Sequence, residues 1–191
     1  MKTQHNFFRK HRKKLLLVLI SVVLLGVIGS TPQKEMDATF LDKELQEIQR
    51  YLPYRDSVNT EVSEASVAWH LDHSLITVNK IYTRLYKSDE SKYKNRFNFT
   101  RTLVFTLNKI PRGRAESPKV VRPKELVLDT IEAHYESALQ NIKAFDSLPK
   151  KAHFTHPFFG MLNRRQTRKF LKIHTNHHLK IVKDILKEKS N

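Results

Sequence analysis

KFLKIHTNHHLKIV, residues 169–182, sets apolar residues at a helical spacing and places three histidines within five positions. Phe170, Leu171, His174, His178, Ile181 and Ile185 recur at three- and four-residue intervals, as one inward helical stripe does. Asn163 ahead of it is a good N-cap, so the pattern predicts a helix from there to about residue 187. His174 and His178, four apart, stack on one face with Cβ atoms roughly 5–6 Å from each other, while His177 sits one step off that face. Two imidazoles so placed suit a shared metal, but the spacing alone fits core histidines or a solvated basic face equally well.

Working back along the chain, three more amphipathic segments appear. Leu126, Val127, Ile131, Tyr135, Ala138, Ile142 and Phe145 predict a helix following Pro123, whose missing N–H is tolerated in a first turn. Val67, Leu71, Leu75, Val78, Ile81 and Leu85 predict another, from Ser63 or Ser66 to about Tyr86. Phe40, Leu41, Leu45, Ile48 and Leu52 predict the first, near 37–52, stopped by Pro53. Four glycines in 191 residues leave little room for turns between strands. The expected architecture over residues 36–187 is therefore an all-α four-helix bundle. Its second and third helices are joined by a crossover, residues 88–124, long enough to hold a short helix around NFTRTLVFTLNK. HPFFG, residues 156–160, reads as a structural turn at Pro157 and Gly160, with Phe158 and Phe159 plugging the end of the bundle and His156 outside the ligand set.

The formal charge is +16, from 35 Lys and Arg against 19 Asp and Glu. Basic residues 1–14 precede fifteen residues without a charge, LLLVLISVVLLGVIG at 15–29. The segment 15–31 is expected to act as a transmembrane anchor, or as a cleaved signal peptide. The flanking cations would keep the N-terminus cytoplasmic and carry the domain outside a bacterial cytoplasmic membrane. The crossover is also basic, with ten Lys or Arg between Lys92 and Lys124 and one acid, Glu116. A solvated loop is the plain reading; contact with anionic lipid or a small anionic ligand is the functional one. No helix-turn-helix, RNA-binding or zinc-finger pattern accompanies the charge, so nucleic acid is not an expected partner. Cysteine is absent, which excludes a thiolate ligand or nucleophile.

A two-histidine pair leaves a metal site incomplete. SVAWHLDHSLI, residues 66–76, offers His70 and His73 on the second helix as donors, and either is open on spacing alone. Asp72 is turned away from His73 by helical geometry, and His134, His153 and His156 remain unassigned.

SVAWHLDHS and THPFFGMLNRRQTRKFLKIHTNHHLKIV together resemble the DinB-like superfamily of four-helix bundles, and within it a family usually labelled a domain of unknown function. In the first motif a Val is followed six residues later by a ligand histidine, which falls on His73. The second matches a His-Pro-x-x-Gly turn followed by a helix with H-x-x-H-H. The family often has an aromatic residue where that helix begins; this chain has Gln166 and Thr167. The resemblance implies a divalent metal, Zn, Ni or Fe, held by His73, His174 and His178. It also implies transfer chemistry with a low-molecular-weight thiol. A metal-assisted hydrolase and a non-catalytic, membrane-tethered binding module are the alternatives.

Overall fold

The computed structural model describes residues 40–113 and 116–187. Five helices and one antiparallel hairpin make up the regular structure of this part: α1 Asp42–Tyr51, α2 Val67–Tyr86, α3 Phe99–Leu107, α4 Leu128–Lys143, β1 His153–His156, β2 Gly160–Asn163 and α5 Arg164–Ile185. The expectation of an all-α four-helix bundle is corrected on two counts. The short helix in the crossover, α3, makes five. The HPFFG turn, expected to plug the end of the bundle, closes a two-stranded sheet.

Each strand of the hairpin, HFTH and GMLN, buries one apolar side chain. In its register Phe154 faces Leu162 and His156 faces Gly160, and both Phe154 and Leu162 are buried. Gly160 has φ +68°, a left-handed backbone that a side chain would disfavour. Phe159 is buried as expected of a plug, but Phe158 is about half exposed. The buried Arg101 of α3 clamps the hairpin, its guanidinium donating to the carbonyls of Arg96, Phe159 and Met161. Burying a charged fork is tolerated here because these oxygens accept its protons.

The long helices follow local signals closely. Ser66 caps α2, its hydroxyl accepting the Trp69 N–H, and every residue of the predicted α2 stripe is buried. Asn163 and Gln166 cap α5 reciprocally, with Asn163 Oδ1 accepting from the Gln166 N–H at 2.9 Å and Gln166 Oε1 from the Asn163 N–H at 3.0 Å. This capping box gives the polar Gln166 its role at the start of the helix. α4 starts at Leu128, later than predicted, because the chain stays extended through Val127. Leu126 and Val127 are accordingly exposed instead of joining the core. α2 packs against both α4 and α5, and α5 also meets α1 and the hairpin. One core runs through them, with Tyr51, Leu71, Phe145 and Leu171 among its fully enclosed side chains.

The predicted single-pass placement outside the cytoplasmic membrane is also corrected. Among the described residues no helix is long and apolar enough to cross a membrane, and residues 15–31, on which that expectation rested, lie outside them.

Candidate metal centre

α2 and α5 run side by side, so histidines on their facing stripes meet. His73, His174 and His178 each present a ring nitrogen, and the three atoms lie within 4.8 Å of one another. The three side chains are therefore close enough to hold one metal ion.

The hydrogen bonds decide which nitrogens point at the centre. His73 Nδ1 stands 2.8 Å from the Val121 carbonyl oxygen. A carbonyl only accepts, so the ring proton is on Nδ1 and the Nε2 lone pair is free. That Nε2 is 3.3 Å from His174 Nε2. Two nitrogens bound tetrahedrally to zinc at about 2.0–2.1 Å stand about 3.3–3.4 Å apart. His178 Nδ1 pairs with His70 Nδ1 at 3.0 Å, and His70 Nε2 reaches Ser63 Oγ at 3.0 Å. This chain turns His178 Nε2 inward when His178 donates to His70 and His70 to Ser63. His70 is thus the outer partner of a candidate ligand, the arrangement that orients ligating imidazoles in metal sites. His174 Nδ1 is enclosed without a hydrogen-bond partner. Trp69 stacks on His73 with ring centroids 4.8 Å apart and planes 11° from parallel, closing that side of the cluster.

Burial holds these imidazoles neutral, as metal ligation requires. It lowers the pKa of His73, against the opposing bond to Val121, and lowers His174 and His178 well below 6.5. His70 is lowered to about 4, by burial first and then by neighbouring His73 and His177.

The remaining candidates fall outside the cluster. His177 is half-buried at the edge of the same pocket, with a pKa lowered to about 4 mainly by burial. Asp72 does face away from His73: it is fully buried and accepts the His134 Nδ1–H at 2.7 Å. Burial raises its pKa despite that bond. His153 stays on the hairpin near Tyr93. His156, left out of the ligand set on sequence grounds, lines the pocket beside the cluster, stacked on Phe159 at 4.3 Å. Sequence reasoning missed the Val121 carbonyl, since a backbone oxygen carries no residue signal. It weighed His70 as an alternative donor, and the structure sets that ring against His178 Nδ1 instead.

Residues 98–185 match the model of a family described as a protein of unknown function, DUF1569. The matched stretch runs from α3 to the end of α5 and includes His174 and His178, while His73 precedes it. No curated protein and no solved structure matches the chain.

Replacing His70 tests the outer partner. His70→Ala is expected to weaken divalent-metal affinity about 10–100-fold without abolishing binding. An unchanged affinity in a competition titration against a chromogenic chelator would remove His70 from the site.

Proposed function

We propose that this chain binds one divalent transition metal through His73, His174 and His178 and uses it on a small molecule, as a metal-dependent transferase of a low-molecular-weight thiol. The observation that carries the reading is the His73 tautomer: its Nδ1–H is committed to Val121, so a lone pair faces His174 Nε2 across 3.3 Å at the wall of an open pocket of about 370 Å³. Two neutral imidazoles facing each other at that distance are well suited to share a cation. The ligand set serves Zn²⁺, Ni²⁺ or Fe²⁺. A bound divalent ion lowers the pKa of a thiol or water placed beside it.

The protein's own groups favour a thiol over water. Activating water for attack commonly draws on a carboxylate base. Asp72 lies behind the helix on His134, and Glu116, which lines the pocket, is paired with Arg122 at 2.8 Å. A thiol needs no such base once its pKa has fallen. Phe154 and Phe170 give the pocket apolar walls beside the histidines, suited to the body of a small organic thiol. The likeness of both histidine motifs to DinB-like proteins supports the same chemistry by analogy.

The full chain, purified without an affinity tag, is expected to carry close to one metal equivalent by elemental analysis, lost in His73→Ala and His174→Ala. Loaded protein should then transfer a thiol such as glutathione or cysteine to an electrophilic acceptor faster than it hydrolyses esters. Metal binding with hydrolysis alone would move the assignment to a hydrolase. A folded chain that takes up no metal would end both readings.

A further inference from the structure

The pocket continues from the three histidines along a single stripe of α2. His73, Thr77, Lys80 and Arg84 follow at intervals of four, three and four, and all four line it. At about 1.5 Å per residue, Lys80 stands roughly 10 Å and Arg84 roughly 16 Å beyond His73 along the helix axis. Thr77 is 4% exposed, and its hydroxyl oxygen is enclosed without a hydrogen-bond partner. An enclosed, unsatisfied hydroxyl is costly, and it is relieved when a polar atom arrives beside it.

The two cations at the outer end are also uncommitted. Neither Lys80 nor Arg84 forms an ion pair among the described residues. Glu116, the acid that lines the pocket, is paired with Arg122 at 2.8 Å. The described crossover residues that line the pocket, among them Ile110, Pro111, Val120 and Val121, bring no cation to it. Among the described residues the positive end is built by α2. Across from this stripe, His156 Nδ1 accepts the N–H groups of both Phe158 and Phe159. Its proton is therefore on Nε2, which gives the pocket a fixed donor near the metal-binding end. Between the two ends the lining is apolar, with Ile81, Phe154 and Phe170.

We propose that the pocket selects an elongated, apolar-bodied small molecule that places a polar metal-binding head at the three histidines, beside Thr77 and His156, and a carboxylate tail on Lys80 and Arg84. This inference rests on the metal reading above and adds the ligand class: an ω-carboxylate about two to three helical turns from the reacting end. Lys80 and Arg84 are specificity-determining residues, distant from the metal, that distinguish an anionic tail from a neutral one.

The test uses the full chain loaded with Co²⁺, whose visible absorption reports a ligand entering the metal's coordination sphere. Two probes share head and chain length: octanedioic acid monohydroxamate, with a carboxylate tail, and octanohydroxamate, with a methyl tail. The carboxylate probe is expected to bind about five- to tenfold tighter at low salt. That preference should vanish in Lys80→Ala/Arg84→Ala, with the affinity for octanohydroxamate unchanged. Both positions are exposed, so the double variant should fold. Thr77→Val should weaken both probes alike, since it touches the shared head. If the cobalt spectrum forms and the two probes bind equally, or the preference survives the double variant, the anionic subsite is overturned and the metal site stands. If no cobalt spectrum forms, the metal reading falls and this one with it.

Discussion

Zn²⁺ added to the metal-free chain at a free concentration a thousandfold above its Kd is expected to raise the Tm by about 8–16 °C. The linkage is simple: a ligand that binds only the folded state at that excess stabilises it by about 4 kcal/mol, and a domain of about 150 residues shifts by about 2–4 °C per kcal/mol. The folded state is where the three histidines converge. His73 comes from α2, and His174 and His178 from α5, about a hundred residues later in the chain. In the unfolded chain only the His174–His178 pair stays close. His73→Ala should therefore remove most of the metal-induced shift, because it deletes the one ligand brought by tertiary structure. His174→Ala and His178→Ala should do the same. His177→Ala should leave the shift nearly intact, since His177 lies outside the cluster. The comparison is between Tm with and without metal for each variant, so any intrinsic loss of stability cancels. Equal shifts in wild type and His73→Ala would place the metal elsewhere.

Acid should unfold the metal-free chain well before ordinary carboxylate titration. His70, His156 and His177 have pKa values lowered to about 4, with burial the leading cause in each. Burial lowers His73, His174 and His178 as well. An unfolded histidine titrates near 6.5. Between that value and the folded one, the unfolded chain binds protons that the folded chain refuses, so stability falls as pH is lowered. At pH 7 and above both states are neutral and the histidines impose no such penalty. The loss begins near pH 6.5 and levels off only below about pH 4, where His70, His156 and His177 protonate in the fold too. For His70, 4% exposed, a drop from 6.5 to about 4 corresponds to on the order of 3 kcal/mol. Asp72 works in the opposite direction, its raised pKa making the folded chain take up a proton first, but it is one group against six. Urea midpoints of the metal-free chain at pH 7.5, 5.5 and 4.5 should fall steadily, with the steeper loss per pH unit between 5.5 and 4.5, where the unfolded imidazoles are already protonated and the folded ones still refuse the proton. Midpoints that stay level over this range would mean that the histidines are solvated, in conflict with their burial.

Much of the scaffold could be read without a structure. The apolar stripe of α2, the Ser66 and Asn163 caps and the extent of α5 all depend on residues within one or two turns, and local periodicity records them. The His174–His178 pair is of the same kind. The start of α4 was misplaced because Leu126 and Val127 continue the apolar spacing while the backbone there remains extended. The hairpin was missed because four-residue strands carry too few positions for alternation to stand out, and what holds this one is Arg101, fifty-odd residues upstream.

The sequence by itself determined where the long helices lie, which faces they bury, and that α5 presents two stacked histidines, because helix geometry translates spacing directly into direction. Spacing left His70 and His73 both open, the family resemblance pointed to His73, and the tertiary structure is what brings His73 to His174 and His178. It also decided the tautomers. Val121 meets His73 across 48 residues and His70 meets His178 across 108. Those meetings depend on how the crossover and α5 pack against α2, which no repeat or spacing within a segment encodes. The physical reason is that a ligand's spacing is local, whereas the direction of its lone pair is set by whatever accepts the proton on the other side of the ring.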